Sequence, residues 1–230
     1  MEKRYRTTNI LKAVSIFFVV FQHSLQTNAN VHDQEIFRVF GFNFWILQAV
    51  SVFVIVTGFH YSVSMKKQEN ELDWYRKDVF IKKFSRIILP YSFMFLCFLV
   101  YMLITKTGKL NLNVLFTYLK GGPGPGGYYT WILIQFLIVF PVIYYLVKRS
   151  PLFGSIFVLS VNILYEYAVF QGVIRSSFNR LCCIRLMTGL LLGILIYHYA
   201  DELKKTVIPA LIFTGGVFFY YIIVTAIIKR

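Results

Sequence analysis

The chain has 230 residues, of which 57% are hydrophobic and only 15% are charged, and its mean hydropathy is +0.63. A soluble domain would carry about a quarter of its residues as Asp, Glu, Lys or Arg. The apolar residues also run together in blocks too long for buried core helices. This composition excludes a disordered chain, a secreted disulfide scaffold and an ordinary cytosolic enzyme, and it predicts a polytopic membrane protein.

The net charge of +14 comes from 24 Lys and Arg against 10 Asp and Glu. These basic residues lie between apolar spans, where they orient a protein in the bilayer, so nucleic acid is not a predicted partner. Because lipid offers no water to backbone groups, the spans are expected to be helices, which gives an all-α transmembrane helix bundle. Seven spans are predicted, at Ile10–Leu25, Phe42–Ser64, Ile87–Ile104, Tyr129–Val147, Leu152–Phe170, Leu181–Ala200 and Thr206–Ile228.

The distribution of Lys and Arg predicts a cytoplasmic N-terminus. With that orientation the inner side holds fourteen basic residues and the outer side eight, and the connection Met65–Arg86 alone carries seven. Short cytoplasmic loops are enriched in Lys and Arg, so this bias indicates the orientation.

Lys12 and His23 are the ionisable residues of the first span. They are eleven residues apart, which is about 20° beyond three full turns, so both face one side of the helix about 16 Å apart along its axis. Imidazole titrates near neutral pH, so His23 could take a proton from an attacking hydroxyl. The alternative is that Lys12 snorkels to the surface and His23 hydrogen-bonds a neighbouring helix.

Lys82, Lys83 and Arg86 form a basic cluster at the mouth of the third span. Residues three or four apart share a helix face, and such a face suits phosphate groups of an anionic lipid or of a nucleotide-like cofactor. The alternative is a set of charges that fixes the topology and contacts lipid headgroups.

An aromatic segment containing Tyr129 and Trp131 follows the Gly/Pro-rich turn Gly121–Gly127. Tyr and Trp at the edge of a span usually form the interfacial belt, but they could also stack on sugar rings. Glu166 is the only acidic residue in any predicted span, and it could pair with Arg180 or Arg185 or orient a histidine. No spacing typical of metal ligands occurs, and no metal is predicted.

Taken together, these features resemble the integral-membrane acyltransferases of acyltransferase family 3, which O-acylate cell-surface sugars. The motifs occur in the family's order over about 140 residues, and a later Gly-x-x-x-Gly also fits. They are Lys12 with His23; Val52–Phe59, which resembles the Phe-Phe-x-x-Ser-Gly-Phe stretch; Lys82, Lys83 and Arg86–Tyr91; Tyr129, Trp131, Leu133 and Pro141; and Gly189 with Gly193.

The resemblance implies a cytosolic acyl-CoA donor, usually acetyl-CoA, and no tightly bound cofactor. Lys82, Lys83 and Arg86 would hold the donor's phosphates. His23 would act as general base on a hydroxyl of a sugar or glycolipid presented from the outer side, and Lys12 would help to place the donor or hold the first helix. Tyr129, Trp131 and Glu166 are the predicted substrate-binding residues.

The family typically has about ten spans, so residues 1–230 are expected to form one membrane domain, the N-terminal part of such a fold, without its C-terminal spans. A bacterial plasma membrane is the expected location. Two alternatives stay open: a transporter or flippase-like protein that moves its substrate past Glu166 and Arg185, and a truncated, inactive membrane protein.

Overall fold

The computed structural model describes residues 8, 10–17, 42–68, 70–105, 112–119, 121 and 127–199. Every secondary-structure element within these ranges is helical. In chain order the elements are α1 (10–17), α2 (Phe42–Met65), a 3-10 helix (Glu71–Tyr75), α3 (Lys77–Thr105), α4 (Leu112–Leu119), α5 (Tyr128–Arg149), α6 (Pro151–Phe170), α7 (Ser176–Leu181), a second 3-10 helix (Cys183–Leu186) and α8 (187–199).

Among the described residues, α3, α5 and α6 are each long and apolar enough to cross a membrane. Ala49–Met65 and Cys183–Tyr199 form shorter apolar helices. The predicted all-helical class is therefore confirmed for this part of the chain. The later part of the first predicted span and all of the seventh lie outside the described residues, and the count of seven spans and the orientation stay predictions.

The predicted bounds of the second, fourth and fifth spans agree with α2, α5 and α6 to within two residues at each end. The third span differs, because α3 begins at Lys77, ten residues before the predicted start at Ile87. Asp78 lies in the first turn of α3, where a carboxylate interacts favourably with the helix dipole. It also accepts hydrogen bonds from the Arg76 guanidinium at 3.0 and 2.8 Å. The polar residues of this segment thus begin the helix rather than forming a loop before it.

The chain divides into two compact units, one formed by Met1–Phe59 with Leu192–Arg230 and the other by His60–Leu191. In the first unit, α2 and α8 cross closely at Gly193. A Cβ atom built there would overlap the carbonyl oxygen of Ile55 and would lie 2.9 Å from the Cα of Gly58. The two helices approach this closely because glycine stands on both sides of the crossing.

Helix α5 forms the centre of the second unit. Phe136, Leu137 and Phe140 are fully buried on it. Helix α6 follows after the single residue Ser150 and packs back along α5. At Gly154 the two backbones are so close that a Cβ atom would lie 2.8 Å from the backbone of α5.

The predicted sixth span begins at Leu181, and in the structure an apolar helix runs over Cys183–Tyr199. Cys182, which is extended (φ −87°, ψ 130°), separates it from α7. Two side-chain amides satisfy the backbone groups there. Gln135 donates to the Leu181 carbonyl at 2.7 Å and accepts from the Cys183 amide at 3.0 Å. Asn162 donates to the Ile184 carbonyl at 2.7 Å. Because non-helical backbone within apolar surroundings needs such partners, these amides permit the break.

Candidate functional site

A cavity of about 440 Å³ lies between the first half of α3 and the N-terminal end of α5. Its lining combines one guanidinium and two hydroxyl groups with apolar side chains. The lining residues are Arg86, Ile87, Pro90, Tyr91, Met94, Gly127, Thr130 and Leu133.

The two helices that form this cavity run antiparallel. Near the start of α3, Trp74 and Tyr75 bond to the backbone of α5 at Leu137 and Ile138. Further along α3, Arg86 shares the cavity with Thr130. The first half of α3 therefore lies alongside the N-terminal half of α5.

This register differs from the sequence interpretation. With a cytoplasmic N-terminus, Arg86 was predicted on the inner side and the start of the fourth span, beside Thr130, on the outer side. In the structure the basic cluster and the aromatic segment meet at the same end of the α3–α5 pair. The number of apolar residues in a span sets its length but not its depth relative to its neighbour, which is the reason for the difference.

Tyr91, which lines the cavity, packs against Tyr118 of α4. The hydroxyl of Tyr91 donates to the Tyr118 carbonyl at 2.6 Å, and their ring centroids are 4.8 Å apart. The hydroxyl of Tyr118 lies 2.8 Å from that of Ser92. Trp131 lies next to the Tyr91 hydroxyl. Helix α4, which carries Tyr118, was not predicted because it is only eight residues long.

The three residues of the basic cluster have different surroundings. Lys82 and Arg86 are both exposed, and of these two only Arg86 lines the cavity. Lys83 is half-buried and points away from the cavity: its Nζ lies 3.3 Å from the centroid of the Trp74 ring and donates to the Ser64 hydroxyl at 3.0 Å. Of the three predicted phosphate ligands, only Arg86 lines the cavity.

The sequence model of the acyltransferase 3 family, described as an acyltransferase domain, matches residues 7–228. The chain belongs to the acyltransferase 3 family. This match confirms the predicted family over nearly the whole chain, and acyl transfer is the general chemistry that it supports. No curated protein and no solved structure shows significant similarity to the chain.

In this family member, the segment before α3 is anchored to α5 through Trp74. Its side chain is fully buried, and its indole nitrogen donates to the Leu137 carbonyl at 2.9 Å. That carbonyl is four residues before Pro141, which has no amide hydrogen to donate to it. Tyr75 donates to the next carbonyl, that of Ile138, at 2.6 Å. Pro141 thus frees a carbonyl for a bond from outside the helix, and a proline within an apolar span is the sequence signal for such a contact.

The other predicted site residues are spread over both units. Lys12 is half-buried on α1, and its predicted partner His23 lies outside the described residues. Tyr129 and Trp131 are half-buried on either side of Thr130 along α5, and neither is among the residues that line the cavity. Glu166 is exposed near the end of α6.

Arg180, one of the two arginines considered as partners of Glu166, has its guanidinium 5.0 Å from the centroid of the Tyr128 ring. Among the described residues, no group of three or more His, Cys, Asp or Glu could hold a metal ion.

Proposed function

We propose that this acyltransferase moves an acyl group, acetyl being the expected one, from cytosolic acyl-CoA to a hydroxyl of an extracytoplasmic glycan or glycolipid. The protein would do so as a multi-pass protein of the bacterial plasma membrane, with its N-terminus in the cytoplasm. Lipids of that membrane are its other expected partners.

The observation that carries this proposal is the cavity that Arg86 shares with Thr130. A guanidinium presents several N–H donors in a planar fork that matches a phosphate group, so Arg86 is suited to the phosphates of the donor. Lys82 is exposed one turn earlier and would add a second cation. The apolar part of the lining, at Ile87, Pro90 and Met94, suits the less polar part of the same molecule.

The reaction requires a base for the acceptor hydroxyl. In our proposal His23 takes the proton of that hydroxyl, and the oxygen attacks the thioester carbonyl. The carbon–sulfur bond then breaks, the CoA thiolate leaves and takes up a proton, and the acceptor retains the acyl group as an ester. Lys12, on the same helix, would help to position the donor or hold that helix.

The acceptor would be bound by Tyr129, Trp131 and Glu166. Tyr129 and Trp131 flank the cavity-lining residue Thr130 in the chain, and Trp131 lies beside Tyr91, so we assign to them the acceptor group that meets the thioester. Glu166 is exposed on a different helix, and its assigned role is to bind a more distant part of the acceptor.

Binding of acetyl-CoA to the purified, detergent-solubilised chain tests the donor site. We expect saturable binding that Arg86→Ala weakens by about tenfold or more, because a hydrogen bond to a charged group contributes about 1.5–3 kcal/mol. Arg175→Ala is the matched control, since Arg175 is an exposed arginine outside the cavity. Equal affinity of wild type and Arg86→Ala would contradict the donor assignment.

Transfer is tested separately with His23→Ala. This variant should bind acetyl-CoA as wild type does and should no longer acylate membrane glycans. Full transfer activity in this variant would refute the role of His23.

A further inference from the structure

We propose that Lys83 is a positioning residue. Its ammonium holds α3 in the rotation at which Arg86 lines the cavity, and it does not itself bind the donor's phosphates. This inference rests on the proposed donor site and assigns Lys83 a different role from the one that the family resemblance implies.

The ammonium of Lys83 is already engaged by two groups. It lies 3.3 Å from the centroid of the Trp74 ring and donates to the Ser64 hydroxyl at 3.0 Å. A cation over an indole is attracted by the negative face of the ring, and the attraction grows as water is removed. Turning Lys83 towards a phosphate would break both contacts.

The partners of Lys83 are themselves fixed. Trp74 is fully buried, donates to the Leu137 carbonyl and packs with its ring 5.3 Å from Tyr61 and 5.1 Å from Phe140. Ser64 lies one residue before the end of α2. Lys83 therefore joins α3 to two anchored elements at one point.

The consequence for Arg86 follows from helix geometry. At about 100° per residue, Arg86 lies about 60° from Lys83 around α3, and Lys82 lies about 40° beyond Arg86 on its other side. With Lys83 directed at Trp74, this order leaves Arg86 at the cavity and Lys82 exposed, as the structure shows. Without the Lys83 contact, the rotation of this turn loses one of its restraints.

The test compares Lys83→Met, which keeps the stem and removes the charge, with Lys83→Arg, whose guanidinium can also stack on an indole. We measure acetyl-CoA affinity at several salt concentrations. We also measure the emission of Trp74 without ligand, in a background with Trp45→Phe and Trp131→Phe.

Lys83→Met should shift the emission of Trp74 in the absence of ligand. It should also weaken acetyl-CoA binding by about 3- to 10-fold, and Lys83→Arg should restore both properties. The salt dependence of binding in Lys83→Met should match wild type, because the number of charges that contact the donor is unchanged. Arg86→Ala should show the reverse pattern, with a weaker salt dependence and unchanged emission.

A reduced salt dependence in Lys83→Met with unchanged ligand-free emission would overturn the proposal and make Lys83 a phosphate ligand.

If Lys83→Met does not fold, Ser64→Ala is the substitute. This substitution lies outside the cavity, removes one of the two contacts of the Lys83 ammonium, and should produce smaller changes of the same sign. Unchanged emission and affinity in Ser64→Ala would then count against the proposal. Failure of wild type to bind acetyl-CoA would refute the donor site, whereas the emission measurement needs no ligand and tests the Lys83 contact independently.

Discussion

Lys82, Lys83 and Arg86 occupy five consecutive positions of one helix, yet they lie in three environments. Lys82 is exposed outside the cavity, Lys83 is held between an indole and a hydroxyl, and Arg86 is exposed at the lining of the cavity. Their charge and spacing predicted one cationic face, but Lys83 is turned to Trp74 and away from the cavity that Arg86 lines. Which of them lines the cavity depends on the rotation of α3 against its neighbours, and that rotation is set by contacts such as that of Trp74 with Leu137, a residue far from the cluster in sequence.

Gly193 is a second position where one side chain decides the local packing. We expect Gly193→Ala to destabilise the protein by about 1–3 kcal/mol, the usual cost of overpacking a closely packed site. The added methyl group would meet backbone atoms, with the Phe59 nitrogen at 2.7 Å, and backbone cannot rotate aside as a flexible side chain can. The measurement is the thermal unfolding midpoint in detergent.

Leu192→Ala is the control for this substitution, because its side chain is 44% exposed on the same helix. It should change the midpoint much less than Gly193→Ala does. A Gly193→Ala variant as stable as wild type would show that α2 and α8 do not need this close crossing.

At the scale of elements, the break between α7 and α8 was not predicted. The predicted span began at Leu181, and the apolar residues at its start gave no indication that Cys182 is extended and ends the preceding helix α7. The signal was elsewhere, in the amides of Gln135 and Asn162 within neighbouring apolar helices. Buried amides need partners, so two of them near one span indicate backbone that is not satisfied by its own helix.

Replacement of Gln135 tests this interpretation. Gln135→Leu removes the donor to the Leu181 carbonyl and the acceptor of the Cys183 amide. Each buried group left without a partner costs about 1–3 kcal/mol, so the unfolding midpoint should fall clearly. Gln171→Leu is the matched control, because Gln171 is exposed after the end of α6. Equal midpoints for the two variants would mean that water or lipid headgroups satisfy the break.

At the scale of the whole molecule, run length and charge predicted the helical class and the bounds of α2, α5 and α6 closely, because the thickness of a bilayer fixes how many apolar residues a span needs. They did not predict where α3 begins, since Lys77 to Arg86 lower the hydropathy without interrupting the helix. Nor did they predict the depth of α3 against α5, which brings Arg86 beside Thr130. The cavity depends on this register. The sequence could therefore suggest individual residues such as Arg86, but not that they lie together around one cavity.

Acid stability is another property of the whole molecule, and here it depends on an ion pair between the Glu71–Tyr75 helix and the end of α5. The Lys148 ammonium donates to the Glu71 carboxylate, and this bond lowers the pKa of Glu71 below its ordinary value of 4.5. A carboxyl group with a lowered folded pKa stabilises the protein above its unfolded pKa, and this contribution disappears as the pH falls through the folded value.

We therefore expect Glu71→Gln to reduce the loss of stability between pH 7 and pH 3. At pH 7 the variant should lose less than about 1 kcal/mol, because the Lys148 side chain is 57% exposed. Unfolding midpoints across this pH range, with the exposed Glu166→Gln as control, provide the measurement. Identical pH profiles for Glu71→Gln and wild type would show that the pair contributes nothing to acid stability.

The bond from Trp74 to Leu137 has a consequence for the order in which the protein is made. The two residues are 63 positions apart, so when Trp74 leaves the ribosome its acceptor has not yet been synthesised. Until α5 arrives, the indole has neither that carbonyl nor the ring of Phe140 beside it. Trp74 therefore reaches its final surroundings only when the second half of its unit has been inserted, and its fluorescence marks that moment during biogenesis.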